Sequence, residues 1–170
     1  MKAVLISIQP PHTNNIFDLV KGIEWRTKPL PTGKHYCYET KNGGGLGKVI
    51  GEFTIWRVKR YESASHIPEN HIDLGCVPKE FLMEYSKGKP IYANCIVNPI
   101  RYNKPKELSE FYTPELFRDC EKQCPDMERM RCPVGDSRKA DKMCGWCRRG
   151  GKPITRPPQS WCYVEERSDQ

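Results

Sequence analysis

Fifteen prolines and thirteen glycines in 170 residues interrupt the backbone too often for long helices. Each proline fixes φ and removes a donor, and each glycine opens turns that other residues resist. Such a chain folds into many short elements, which favours a β-rich or α+β domain over a helical bundle. At 19.7 kDa it is long enough for one domain with a real core and too short for two generous ones. Hydrophobic residues make up 37% of the sequence. Mean hydropathy is -0.73, so the core is modest and much of the length is loop or surface.

Residues 2–8 alternate apolar and polar and predict a strand. Thr13 is placed to cap a short helix carrying Ile16, Phe17 and Val20 on one side, with Gly22 ending it. Pro29-Leu-Pro-Thr-Gly33 reads as a turn. Residues 34–40 predict an aromatic strand with Tyr36 and Tyr38 on one face and His35 and Cys37 on the other. Asn42-Gly43-Gly44-Gly45 reads as a hairpin connection. It lacks the strand–loop–helix setting and the lysine–threonine pair of a phosphate cradle. A long strand over 48–58 follows, with Val49, Phe53 and Ile55 as core residues. Pro78 opens a helix over 79–86 that stops before Gly88. Further expectations are a strand over 90–97, short helices near 105–111 and 114–119, and a last strand over 161–165. Residues 1–166 form the single domain, and 167–170 a frayed polar tail.

The peptide Lys21-Gly22-Ile23-Glu24-Trp25-Arg26 concentrates the chemistry. Ile23, Trp25 and Thr27 alternate with Glu24 and Arg26, so an extended backbone turns the apolar set to one face and both charges to the other. Arginine offers a planar fork of donors, lysine a mobile positive charge, and glutamate an acceptor or proton carrier. That set suits a polar, phosphate-bearing ligand. The competing reading is a solvated strand face with an ordinary ion pair. Tyr36, Tyr38, Trp161 and Tyr163 are candidates to stack on bases, or else core aromatics. Gln159 and Ser160 either read a base edge or satisfy their own turn.

The net charge of +7 points to nucleic acid or another anionic surface as partner. The longest N-terminal apolar run, residues 3–8, is too short for a signal-peptide core or a membrane span, so a cytoplasmic protein with no membrane partner is expected. There thiols stay reduced, and nine cysteines, an odd number, do not read as a disulfide framework. Within residues 120–152 stand Cys120, Cys124, Cys132, Cys144 and Cys147, and the Cys144-Gly-Trp-Cys147 pair has zinc-knuckle spacing. This cysteine-rich insertion has few large apolar side chains, so a structural zinc would supply the missing folding energy. The expected ligands are Cys120, Cys124, Cys144 and Cys147, with Cys132 in place of Cys120 as the rival set. Scattered buried thiols and a redox pair are the other readings. The insertion holds nine Lys/Arg against five Asp/Glu, a net +4, which suits phosphate contact. A protein partner docking on it is the alternative.

Several separated motifs together resemble the ASCH domains, which are related to the PUA domains of RNA-modifying proteins. They are Leu5-Ile-Ser-Ile-Gln-Pro10, residues 16–26, Gly33-Lys-His-Tyr-Cys-Tyr-Glu-Thr40, Gly47-Lys-Val-Ile-Gly-Glu-Phe53, Asn98-Pro-Ile-Arg-Tyr102 and Pro157-Pro-Gln-Ser-Trp-Cys-Tyr-Val164. In the family motif G-x-K-x-x-E-x-R, Lys21, Glu24 and Arg26 fill the last three fixed positions, while Leu19 stands where the family has glycine. The resemblance implies an α+β, β-rich PUA-like barrel with a cleft between barrel and first helix. It implies an RNA-like or modified-nucleotide ligand for Lys21, Glu24 and Arg26, and the chemistry of Tyr38, Gln159, Ser160 and Trp161 makes them candidates to join that site. Some members are held to be ribonucleases, and a small subgroup amidohydrolases acting on acylated cytidine. In that subgroup a lysine, a threonine three residues later and a separate glutamate look catalytic. Here Lys21 matches, Glu24 replaces the threonine, and Glu69 and Asp73 are loose candidates for the glutamate. Lys21 and Glu24 would be the catalytic pair of an enzyme. If they pair directly, the lysine stays charged and the site is a binding clamp, which is the favoured expectation.

Overall fold

The computed structural model describes residues 2–114 and 152–166, with the backbone of 116–117 and 148–149. Six strands form one mixed sheet: β1 (Lys2–Ile8), β2 (Ile23–Arg26), β3 (Gly33–Glu39), β4 (Val49–Tyr61), β5 (Ile91–Lys106) and, near the end, the strand Trp161–Glu165. A separate two-residue pair, β6 (Leu116–Phe117) and β7 (Arg148–Arg149), makes that last strand β8. The order across the large sheet is β2-β5-β4-β3-β1-β8. Only β1 and β3 run parallel. The helices α1 (His12–Phe17), α2 (Glu69–Gly75) and α3 (Lys79–Ser86) are short, as the proline and glycine content requires.

The expected closed barrel does not form. β2 and β8 are the edges of an open sheet, and the segment feeding β8 carries Pro157 and Pro158, which have no N–H to offer a ladder. What spans the gap is a side chain. Arg26, the last residue of β2, donates to the Ser7 carbonyl on β1 at 3.0 Å and to Ser160 Oγ at 3.4 Å.

β1 and β3 are buried on both faces, as strands paired in parallel usually are. Ala3 and Leu5 pack with Tyr36, Tyr38, Val49 and Phe111, whereas Ile6 and Ile8 pack with Ile16, Cys37, Phe53 and Ile55. A third cluster, with Ile23, Trp25, Tyr61, Ile72 and Leu82, sits beneath α2 and α3. The two long strands bend through register breaks. On β5 the extra residues fall around Pro99 and Pro105, where a missing donor is harmless, and β5 therefore runs well past the predicted end at residue 97. Residues 116–117 are strand where a helix was expected. Among the described residues no helix is long and apolar enough to cross a membrane.

Thr13 is not a cap. The helix starts after Pro11 with no side-chain cap, and Thr13 Oγ1 donates to Glu39 Oε1 at 2.7 Å. The other Glu39 oxygen accepts from the Leu46 amide at 2.9 Å, so this buried carboxylate ties α1 to the glycine-rich hairpin. The helix stops at Phe17, and Leu19 takes the left-handed conformation with φ 63. This is the position where the ASCH motif has glycine. Leucine is strained in that conformation, and its side chain is 77% exposed.

Candidate functional site

β2 is short because both its ends are tied elsewhere. Gly22 donates to the Leu74 carbonyl at 2.8 Å and its carbonyl accepts from Ile96 at 2.9 Å, anchoring the entrance of the strand between α2 and β5. From there the alternation works as expected. Ile23 and Trp25 enter the core under the helices, and Glu24 and Arg26 turn into a cleft of about 340 Å³.

Lys21, Glu24 and Arg26 converge there. Glu24 Oε1 accepts from Arg26 Nε at 3.0 Å and lies 3.0 Å from Nη2. Glu24 Oε2 stands 3.6 Å from Lys21 Nζ, so the lysine and glutamate form a direct ion pair. Lys21 is only 3% exposed and also donates to the Gly75 carbonyl. Two cations thus share one carboxylate, which leaves the triplet with a surplus positive charge in a concave, poorly hydrated setting.

Gly75 explains how the lysine reaches its carbonyl. A Cβ on Gly75 would lie 1.9 Å from Trp25 Nε1, so only glycine lets α2 press flat against β2. The Trp25 indole nitrogen is buried there without a hydrogen-bond partner among the described residues.

The structure adds residues that sequence reasoning missed. His12, at the start of α1, lines the cleft, and its Nδ1 is buried with no hydrogen-bond partner among the described residues. Burial, and then the Lys21 ammonium, push its pKa below the ordinary histidine range. Phe81 and Tyr85, one turn apart on α3, stack at 6.4 Å with their planes 10° apart and form another wall. Their spacing marks one helix face without saying whether that face meets core or solvent, so only the fold identifies it. The proline before His12 gives no hint of a ligand site.

The remaining expected residues divide. Gln159 lines the cleft, and Ser160 receives Arg26 Nη1. Tyr38 does not reach it: the ring is buried among Tyr36, Val49, Phe111 and Val164 on the other side of β3. Tyr36 shares that cluster. Trp161 packs against the inner core and meets Tyr163 edge-on at 5.3 Å. Neither lines the cleft, and neither do Glu69 and Asp73, so Glu24 is its one carboxylate among the described residues. Cys120, Cys124, Cys132, Cys144 and Cys147 lie outside the described residues. Among the described ones no three His, Cys, Asp or Glu side chains gather as metal ligands, and Cys37, Cys76, Cys95 and Cys162 are free thiols.

No family model matches the chain, and none of the curated proteins does. Solved structures do. The ASCH protein from Zymomonas mobilis is 16% identical, with a TM-score of 0.59 over 96% of this chain and 88% of that one. A tyrosine-to-phenylalanine variant of it scores 0.60 at 16% identity, covering 98% of this chain and 92% of that one. A serine-to-alanine variant scores 0.61 at 14% identity, covering 96% and 89%. The likeness to ASCH proteins therefore holds at the level of the fold, across nearly the whole chain.

Proposed function

We propose that the cleft binds a nucleotide unit of RNA, or a modified nucleotide, between the ionic triplet and the aromatic wall of α3. The observation that carries this reading is the convergence of Lys21, Glu24 and Arg26 in one cavity opposite Phe81 and Tyr85. Arg26 and Lys21 supply donors for phosphate or carbonyl oxygens, and Glu24 orients them while accepting from a base amine. The aromatic pair offers a face for stacking, worth roughly 1–3 kcal/mol per base. The direct Lys21–Glu24 ion pair supports a binding clamp over a neutral-amine catalyst. Short single-stranded RNA should bind with an affinity that falls as salt rises, and Lys21→Ala should weaken it about tenfold or more. Equal affinity in wild type and Lys21→Ala would end the proposal.

One observation favours hydrolysis as a second reading. His12 stands in the cleft with a buried ring nitrogen that has no partner among the described residues, and burial lowers its pKa, which favours the neutral imidazole that a general base needs. Turnover of labelled RNA or acylated cytidine that disappears in His12→Gln, with RNA binding retained, would establish an enzyme. Absence of turnover on both substrates leaves the binding reading standing alone.

A further inference from the structure

A second cavity, of about 370 Å³, shares no lining residue with the first. Trp56, Arg57 and Lys59 of β4 line it with His71 of α2, over an apolar floor that includes Ile23 and Ile96. Their meeting depends on a bulge. Ile55 pairs with Ile96 and Arg57 pairs with Cys95, so Trp56 has no opposite residue on β5. In an unbroken strand Trp56 and Arg57 would face opposite sides of the sheet. The extra residue re-aims the indole, so that tryptophan, guanidinium and ammonium all border one hollow.

The composition of this hollow is one-sided. Trp56 is 57% exposed, a large aromatic surface left in water. Among the described residues neither Arg57 nor Lys59 makes an ion pair, and Lys59 Nζ stands over the Tyr61 ring at 4.9 Å. Tyr61 Oη lies 2.8 Å from His71 Nδ1, which orients the imidazole. No carboxylate lines the cavity among the described residues. An exposed indole beside two cations that have no carboxylate partner among the described residues matches a nucleotide, which carries a π-face and an anion a few ångströms apart.

We propose that this cavity is a second nucleotide subsite, in which a base of a single-stranded nucleic acid stacks on Trp56 while Arg57 and Lys59 hold its phosphate. It is independent of the reading of the first cleft.

The test follows the indole N–H signals of the isotopically labelled wild-type chain by NMR, with the Trp56 signal assigned by its loss in Trp56→Phe. Adenosine monophosphate should shift that signal saturably. Trp56→Ala should weaken the binding seen at the Lys59 amide about tenfold, whereas Trp56→Phe keeps most of it. Arg57→Ala with Lys59→Ala should flatten its salt dependence. Lys21→Ala should leave the Trp56 response unchanged, which separates this subsite from the first cleft. The proposal is overturned if the Trp56 signal stays still while cleft signals move. It also fails if inorganic phosphate alone is as effective as the nucleotide, or if nothing binds at all.

Discussion

Replacing Arg26 tests how the open sheet is held together. Its guanidinium makes two contacts of 3.0 Å to one Glu24 oxygen, one of 3.0 Å to the Ser7 carbonyl and a longer one of 3.4 Å to Ser160. Hydrogen bonds to charged groups contribute about 1.5–3 kcal/mol each, and stripping one partner from a buried ion pair costs about 3–5 kcal/mol. Two facts reduce the expected loss. The Arg26 side chain keeps 18% of its exposure, and Glu24 retains Lys21 at 3.6 Å. Arg26→Ala should therefore cost about 3 kcal/mol, a large share of the 5–15 kcal/mol that holds a typical domain. Arg26→Lys restores charge without the planar fork and should recover only about half of that. Urea unfolding measures both; with a slope of about 2 kcal/mol per molar, the alanine midpoint should fall by about 1.5 M. A loss below about 1 kcal/mol, or full rescue by lysine, would refute the idea that the guanidinium spans the seam.

Leu19→Gly should stabilise the protein by up to about 1 kcal/mol, because relief of the left-handed strain exceeds the added chain entropy and an exposed side chain loses no packing; an unchanged thermal midpoint would contradict this. His35, buried and stacked on Phe53 at 5.6 Å, has its pKa pushed down to about 4 by burial. It is neutral in both states above pH 6.5 and folding gains nothing from it there; as pH falls from 6.5 to about 4 the unfolded chain takes the proton first, so stability should drop by about 3 kcal/mol. His35→Gln should flatten that slope in urea melts between pH 7 and 4.5, and a parallel slope would disprove the assignment. Gly75→Ala should cost about 2 kcal/mol or more by forcing Trp25 aside, and should weaken RNA binding through Lys21; full stability in the alanine protein would sink the close-approach argument.

Period-two alternation sends Glu24 and Arg26 to the face opposite Ile23 and Trp25, but spacing alone favours an ordinary solvated ion pair, and it is the resemblance to the ASCH motif that singles out the triplet with Lys21. The last strand was legible to its bounds, since Pro157-Pro158 stops whatever precedes it and Trp161, Tyr163 and Val164 suit a pleat. Other features depended on long-range contacts that no local pattern carries. α2 has a polar sequence, and it docks through one glycine edge that only the position of Trp25 makes meaningful. Tyr36 and Tyr38 share a face as predicted, yet the parallel pairing with β1 buries that face beneath Phe111 and Ile154. His12 lines the cleft from the first position of α1, a placement that depends on how the helix docks and that no residue near it signals.

Between β5 and β8, Tyr112 and Pro153 bridge each other outside the named strands. Thr113 accepts the joint by donating its amide to the Lys152 carbonyl at 2.9 Å, and Glu165 of β8 donates to Tyr112 at the same distance. Residues 112–113 and 152–153 are thus held side by side against β8. Closing a loop costs only about 0.6 kcal/mol more for each doubling of its length. Because Thr113 and Lys152 already hold each other, an engineer who changes the number of residues between them should alter the closure cost only slightly.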